Sequence, residues 1–429
     1  TGGGVSGLPA IRGLADDRLR IRVDGADITA SCPNHMNPAL SYVPPGDVAS
    51  VVVYPGITPV SQGGDSIGGS IVVERTPPMF AAAGEGTVFS GEFGAYYRSN
   101  GDAQGAHVAA ALATEHFSAR YTGSTARADD YRAGGDFKTY TFTGRAGHTL
   151  GRDVVGSSAF VSHNQALDLA YTWGDHLIEA KFGWQQIPMQ GFPNQRMDLT
   201  DNRQRSANLR YLGQFDWGRL EARVYRETLD HEMDFGADKR YWYGSASNGG
   251  TPPGSAAVPC APIGATCAAG MPMDTESDTT ALSLDADIAL HGDDRLRAGL
   301  EHRAYRLDDW WPPSGGMMAP GTFWNIRDGA RDRTAAYVEW EHHFDARWTA
   351  ELVAVLLSAL VFAAAHLAVF TQVFGPGGEP WHAGIFPWRV LAGILLAVLF
   401  RWRGPGVAAW THAFFNVALA IGAGPEVFL

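Results

Sequence analysis

The chain has 429 residues, and its 33 Lys and Arg against 45 Asp and Glu give a net charge of −12. This charge and the lack of a basic stripe exclude a general nucleic-acid binder, because phosphate contacts need clustered Lys and Arg. Three cysteines are too few to staple a chain of this length, and Gly and Pro, though frequent, follow no collagen period.

Residues 1–80 have the pattern of short strands separated by glycine turns. Three blocks follow in order, at residues 8–25, 48–56 and 63–73. Together they resemble the plug domain of TonB-dependent outer-membrane receptors, so we predict a partial plug domain over residues 1–80. The resemblance implies the TonB energy-transducing complex as a partner, although we expect the early plug strands and the segment that engages TonB to be missing.

Residues 86–345 alternate between apolar and polar positions, which is the period of β-strands with one apolar face. In the clearest example, Leu282, Leu284 and Ile288 fall on one face, and Ser283 and Asp285 fall on the other. Ten antiparallel strands are predicted, near residues 86–98, 106–122, 138–149, 153–164, 176–186, 204–215, 218–230, 282–290, 295–301 and 333–344.

Most of these segments are much longer than the five or six residues of an average strand. Alternating segments of about ten residues are typical of transmembrane β-barrels, in which short periplasmic turns alternate with long outer loops. Tight links near residues 215–218 and 291–294, and long links near 187–203, 231–276 and 307–332, follow this arrangement. We therefore predict a partial β-barrel over residues 81–348, in the lipid bilayer of the bacterial outer membrane; a large soluble β-protein is the alternative.

Ten strands are fewer than the roughly 22 of a plugged receptor barrel. The open edges of such a sheet leave backbone groups unsatisfied in hydrocarbon, which is costly. We therefore expect that this chain alone does not form a working transporter.

Two pairs of metal-binding side chains stand far apart in the sequence. Cys32 and Met36 lie in a Pro- and Asn-rich loop of the plug, and His231 and Met233 lie at the end of the seventh predicted strand. Soft sulfur ligands select copper(I). Cys-x-x-x-Met in the plug with His-x-Met in the barrel is similar to the motif of TonB-dependent copper receptors. The resemblance implies that these four residues bind copper as the transported ion and that His35 does not; incidental placement is the alternative.

The other two cysteines, Cys260 and Cys267, fall in the long loop after the seventh strand, which is predicted to lie outside the cell. Because that compartment is oxidising, a disulfide between them is favoured over a metal pair. This pairing leaves Cys32 as the odd thiol.

The last part of the chain, residues 349–429, is far more apolar than the rest. Its charged residues are Glu351, Glu379, Arg389, Arg401, Arg403 and Glu426. The apolar run 352–370 has the length of a membrane-spanning helix, and shorter runs follow at 390–400 and 407–422. We predict two or three transmembrane α-helices, which suit the inner membrane; a buried soluble hairpin is the alternative.

Three polar residues of these runs, His366, His412 and Asn416, are spaced as in the second and third motifs of the CAAX-processing-like (CPBP) intramembrane proteases. The resemblance covers about residues 350–425. In that family a paired-Glu motif supplies the catalytic base, and here it is missing, because Glu339 and Glu341 stand in a strand-like segment. Without a base to activate water, the three residues are the remnant of a site, and we predict no proteolysis.

The two parts of the chain conflict physically. A barrel strand must cross the inner membrane before it folds, whereas a long apolar helix stops there. We therefore expect a fusion, a frameshift or an assembly artefact, with the join near residues 345–351. The leading functional prediction is TonB-driven copper uptake across the outer membrane, and the alternatives are an inactive CPBP-type intramembrane protease and a composite without function.

Overall fold

The structure is a computed structural model that describes the greater part of residues 5–351 and a short stretch beyond. All structural statements below refer to its described residues, namely 5, 7–30, 32–33, 35–56, 58–63, 66–141, 148–195, 197–234, 236–238, 272–290, 294–312, 322–345, 348–351, 387–388 and 390–396.

The described strands form a sheet of four strands, a sheet of eleven strands and a separate pair of short strands. In chain order they are β1 (Ala10–Ile11), β2 (Leu14–Ala15), β3 (Leu19–Val23), β4 (Ala26–Asp27), β5 (Val48–Pro55), β6 (Gly69–Arg75), β7 (Val88–Arg98), β8 (Ala103–Ala113), β9 (Phe117–Ala128), β10 (Phe160–Trp173), β11 (His176–Gln190), β12 (Asp198–Phe215), β13 (Gly218–Asp234), β14 (Met273–Ala289), β15 (Arg295–Trp311), β16 (Phe323–Asp345) and β17 (Trp348–Glu351).

The N-terminal unit is a four-stranded sheet in the order β4-β3-β6-β5, and β1 pairs with β2 beside it. Strand β3 alternates buried apolar residues with Arg20 and Arg22, so that one face packs in the core and the other carries charge. The core of this unit consists of Ile11, Leu19, Ile21, Val23, Ala39, Ile71 and Val73. Strands β3 and β6 pair in parallel, as their separation along the chain allows.

The second unit is a sheet of eleven antiparallel strands in which β7 to β17 follow one another in sequence order. Tight turns join the strands at one end, as between Phe215 and Gly218, whereas the other end carries the long loops after β9, β13 and β15. Gly218 has a φ of 139° and lies against the backbone of Asp287, so a side chain at this turn would collide.

The two faces of the large sheet differ as the alternation predicts. Leu282, Leu284, Leu300 and Val338 are exposed on the outer face. On the inner face, the Tyr337 hydroxyl donates to Asp285 at 2.8 Å. An apolar outer face and a polar inner face are the arrangement of a transmembrane barrel wall.

The first unit lies against the inner face of this wall and is held there by charged and polar contacts. Arg20 binds Glu301 of β15 at 2.9 Å, and Arg333 of β16 binds Asp27 at 3.0 Å. The Ser61 hydroxyl donates to Glu339 at 2.9 Å. The N-terminal unit therefore has the place of a plug against a partial barrel.

The predicted strands need correction in several places. The strand predicted at 106–122 is in fact two strands, β8 and β9, because Thr114 and Phe117 close a turn by two hydrogen bonds, Thr114 N to Phe117 O and Phe117 N to the Thr114 hydroxyl. The described residues of the strand predicted at 138–149 form no strand, and the strand predicted at 153–164 begins only at Phe160. The strand that is split in two and the strand that is not found leave the predicted number at ten. The described sheet holds eleven strands because β17 was not predicted.

At the described residues of 138–149, alternation of side chains is not accompanied by pairing into a strand. Lys138 donates from its ammonium group to the Val154 carbonyl at 2.7 Å, so this residue is anchored across its own loop. Strands β12 and β14 also begin earlier than predicted, at Asp198 and Met273, which shortens the loops beside them.

The predicted transmembrane helices lie almost entirely outside the described residues. Residues 387–388 and 390–396 are helical, and the runs 352–370 and 407–422 are not described. Among the helical residues that the structure describes, no stretch is long and apolar enough to cross a bilayer.

Candidate metal centre

The loop between β4 and β5 carries Cys32 and Met36 toward the wall. The amide of His35 donates to the Cys32 carbonyl at 3.0 Å, and His35 takes a left-handed φ of 53°. This tight turn buries Cys32 and Met36, which are 3% and 7% exposed. The His35 ring instead lies near Asp16 and Asp17, with its Nε2 atom 3.6 Å from an Asp17 oxygen.

Strand β13 carries His231 and Met233 on its inner face, near the end with the long loops. Both side chains are 1% exposed, and alternate residues such as Asp230 face outward. Met273, at the start of β14, is the direct cross-strand partner of Met233 and is also 1% exposed. The two thioethers therefore lie on the same inner face of neighbouring strands.

The plug loop and the wall meet in one buried cluster, which we call the sulfur cluster. It contains four sulfur side chains and three apolar ones, namely Cys32, Met36, Met233, Met273, Ile187, Phe192 and Leu199. Two pairs of residues about 200 positions apart are thus brought together. Three of the four predicted ligands lie within the cluster, and His231 lies two residues from Met233 on the same face.

Among the described residues, one hydrogen bond orients the His231 ring. Its Nδ1 atom lies 2.9 Å from the side-chain oxygen of Asn202, its cross-strand partner on β12. Because an amide oxygen only accepts, Nδ1 carries the proton, and Nε2 keeps a lone pair. Nε2 is buried and makes no hydrogen bond to any described residue. A neutral imidazole held in this way is what a metal ligand requires.

The predicted ligands are two thioethers, a neutral imidazole and a thiol, and only the thiol would become charged, by losing its proton when it binds a metal. Nowhere in the described residues do three or more His, Cys, Asp or Glu side chains gather in a way that would hold a metal ion. A metal in the sulfur cluster would therefore depend on thioether sulfur, which favours copper(I) over hard cations.

Neutral amides connect the plug loop to the wall directly beside the cluster. Asn37 donates to the Gln190 side chain at 3.2 Å, and Gln185 donates to the Ser41 carbonyl at 2.8 Å. These residues are buried, and hydrogen bonds in such surroundings fix the position of the segment that follows Met36.

Three loops meet above the sulfur cluster around Ser157, and we call them the loop cap. Ser157 donates from its amide to Asp238 and from its hydroxyl to Asp198, both at 2.8 Å. Asp198 also accepts from the amide of Phe192 at 2.9 Å, and Phe192 belongs to the sulfur cluster. His148 lies 2.6 Å from Asp238. The loops that follow β9, β11 and β13 are therefore joined over the buried sulfur atoms.

A third carboxylate, Asp130, supports the same cap. It accepts from the amides of Ser158 and Ala159 at 2.8 and 2.9 Å. Burial and the neighbouring Asp238 raise the pKa of Asp130 to about 6. Burial acts to raise the pKa of Asp238 as well, but hydrogen bonds from Asp130, Ser157 and His148 lower it overall.

Sequence reasoning missed Met273 and the residues of the loop cap. Met273 stands in Met271-Pro272-Met273, directly before the alternating segment that pairs with the strand of Met233. Extending that strand to its true start would have placed the two methionines side by side. Asp130, in the pair Asp129-Asp130, is interpreted from the sequence as a solvated loop residue, and Asp198 and Asp238 carry no comparable signal, because aspartates are common in loops.

Several predicted residues lie outside the described part of the chain. These are Cys260 and Cys267 of the predicted disulfide, and His366, His412 and Asn416 of the protease-like remnant. Glu339 and Glu341 are described, and they lie on the inner face of β16, where Arg297 binds both at 2.6 Å.

Two family models match separate parts of the chain. The TonB-dependent Receptor Plug Domain matches residues 1–70, and the Type II CAAX prenyl endopeptidase Rce1-like family matches residues 333–418. Comparison with curated protein sequences gives no match. The second match begins within β16, so it includes the last part of the large sheet.

The fold is similar to those of solved metal transporters. One is the copper transporter OprC, with 22% identity and a TM-score of 0.56 over 80% of this chain and 48% of that chain. Another is the FrpB iron transporter from Neisseria meningitidis, with 17% identity and a TM-score of 0.54 over 80% of this chain and 50% of that one. The chain thus spans about half the length of these transporters. It joins a TonB-dependent receptor plug domain and part of a receptor-like barrel to a segment that resembles the Rce1-like CAAX prenyl endopeptidases.

Proposed function

We propose that the receptor part of this chain belongs to an outer-membrane system for copper uptake, and that Cys32, Met36, His231 and Met233 bind copper(I). The observation that carries the proposal is the sulfur cluster. Two motifs from different domains meet in it, and His231 presents a buried Nε2 lone pair beside them. Copper transport by OprC, a protein of similar fold, supports this choice over iron, which FrpB transports.

In this proposal the plug supplies a thiol and a thioether, and the wall supplies an imidazole and a thioether. Met273 adds a further thioether from the neighbouring strand. An ion bound between plug and wall would be released when the plug moves, and the family of the plug domain makes the TonB complex the source of that movement. A half-length chain of this kind would act in the bacterial outer membrane only together with further barrel strands.

The test is metal analysis of the purified full-length chain, loaded with copper(I) under reducing conditions. Cys32→Ala and Met233→Leu should each weaken copper binding about tenfold or more, since even the outer partners of metal ligands affect affinity by about 10- to 100-fold. Met273→Leu should weaken it less than Met233→Leu.

Met189→Leu is the matched control, because Met189 is exposed on the same wall and lies outside the sulfur cluster. Loading with ferric iron forms the second arm of the experiment. Equal copper binding in all variants, or iron bound in preference to copper, would contradict the proposal.

We propose no activity for the Rce1-like segment. The glutamates nearest to its start, Glu339 and Glu341, are bound by Arg297 on a strand, so they are not available as a catalytic pair. The absence of proteolysis stays a prediction.

A further inference from the structure

A cavity of about 170 Å³ lies between the plug and strands β15 and β16, apart from the sulfur cluster. Four arginines line it: Arg20 from the plug, and Arg303, Arg331 and Arg333 from the wall. They form an unusual group, because arginine side chains repel one another unless negative charge separates them.

The acidic residues around the cavity are already engaged. Asp27 binds Arg20 at 2.8 Å and Arg333 at 3.0 Å. Glu301 likewise binds Arg20 at 2.9 Å and also contacts Arg333. These ion pairs account for Arg20 and Arg333. Arg303 and Arg331 form no salt bridge with a described residue, although Arg303 lies within the electrostatic reach of Asp27 and Glu227.

The remaining acidic groups at the rim, Asp16 and Asp17, lie next to His35. They form no ion pair with either of the two remaining arginines among the described residues.

Arg303 is the residue that requires an explanation. Its Nε and Nη2 atoms are buried and donate no hydrogen bond to any described residue. A buried guanidinium nitrogen without an acceptor destabilises the folded chain, and the more so because the group is charged. Such donors are therefore expected to meet a ligand or ordered solvent in the functioning protein.

The pairing of β15 with β16 places further positive charge beside Arg303. Arg303 on β15 is the direct cross-strand partner of Arg333 on β16, and Tyr305 is the partner of Arg331. Like charges directly opposite each other across two strands are destabilising. Arg331, which is exposed, forms no salt bridge with any described residue and adds a further positive charge two positions away from Arg333.

We propose that this cavity is a binding site for a small oxyanion, with Arg303 and Arg331 as its principal ligands. The planar fork of an arginine matches two oxygens of a phosphate or carboxylate, and charge-assisted hydrogen bonds of this kind are strong. An anion here satisfies the buried nitrogens of Arg303 and separates the facing guanidinium groups. The site is independent of copper, because none of the sulfur side chains lines it.

The test is calorimetric titration of the purified full-length chain with inorganic phosphate at constant ionic strength, with acetate and chloride as further arms. The wild-type chain should bind phosphate, and Arg303→Gln should weaken binding about tenfold or more, as expected for the loss of charged hydrogen bonds. Arg303→Lys should recover only part of the affinity, because an ammonium group lacks the planar fork.

Arg306→Gln is the matched control, since Arg306 lies three residues further on the same strand, faces outward and pairs with Asp332. This variant should bind phosphate as the wild type does. If the chain binds acetate and not phosphate, the cavity is still an oxyanion site, and its preferred ligand is a carboxylate. No binding of either oxyanion to the wild type, equal binding by Arg303→Gln, or chloride binding as tightly as phosphate would overturn the proposal.

Discussion

Asp24 in the turn between β3 and β4 shows how single residues fix the plug against the wall. Its carboxylate accepts from the amide and side chain of Arg75 and lies 3.2 Å from the ammonium group of Lys181 on β11. Burial alone would raise the pKa of Asp24, but Arg75 and Lys181 outweigh this and lower it from 3.8 to about 2. The carboxylate is thus more stable ionised in the folded chain than in the unfolded one.

This shift predicts an acid-sensitive contact between plug and wall. Because the folded pKa is depressed, the stabilisation is complete above pH 3.8 and is lost as the pH falls toward 2. A shift of this size corresponds to roughly 2 kcal/mol. Hydrogen-exchange protection factors of the β3 and β6 amides should therefore fall between these pH values.

Asp24→Asn isolates the effect, because other carboxylates of the plug also titrate. The variant should be less protected at neutral pH, since Arg75 and Lys181 lose their negative partner, and its protection should fall less steeply with acid. The same slope in variant and wild type would show that Asp24 is not the group responsible.

The candidate ligands were predictable as single residues because two short motifs resemble those of a family. Cys32, Met36 and Met233 lie in one buried cluster, and His231 is hydrogen-bonded to Asn202; that these residues bind a metal stays a prediction. Neither Arg303 nor Asn202 was predictable, because their significance depends on which atoms lack or find partners after folding. Whether a polar atom finds a hydrogen-bond partner depends on three-dimensional packing and has no signature in the sequence.

Among the elements, the strands were easier to predict than the loops. Alternation of apolar and polar residues identified β11, β13 and the β14–β15 hairpin, since the two faces of each strand lie in different surroundings. It failed at the described residues of 138–149, which form no strand. The loop cap itself depends on hydrogen bonds between residues up to 90 positions apart, such as His148 with Asp238, which periodicity does not report.

The loop cap should control access to the sulfur cluster. Asp238→Ala removes the acceptor for the Ser157 amide and the partner of His148, so the loops after β9 and β13 should separate more often. Cys32 is buried beneath them, and its alkylation by a maleimide in the absence of metal should become several-fold faster. The experiment uses a Cys260→Ser, Cys267→Ser background so that Cys32 is the single thiol.

Asp153→Ala is the control for this prediction, because Asp153 lies in the loop after β9 but pairs with the exposed Arg132. Its alkylation rate should match that of the background. If Asp238→Ala and Asp153→Ala react at the same rate, the cap does not limit access to Cys32.

At the scale of the whole molecule, the large sheet supports the plug, and its described part has two edge strands. The described strands β7 and β17 each pair with a single neighbour, whereas every strand between them pairs with two. An unpaired edge presents a row of free backbone groups, and these are costly in hydrocarbon. The plug contacts lie on the inner face of the wall, as with Asp24 on Lys181 and Arg20 on Glu301, so they leave the edges themselves uncovered.

The edges predict a gradient of local stability across the wall. In the detergent-solubilised full-length chain, the amides of β7 should exchange with solvent by orders of magnitude faster than those of β12, because β12 is hydrogen-bonded on both sides and supports the plug. Strand β9 serves as the internal control, since it is flanked on both sides yet lies near β7, and it should be intermediate. Protection of β7 equal to that of β12 would mean that another strand pairs with this edge, and the partial barrel would then be a subassembly of a closed one.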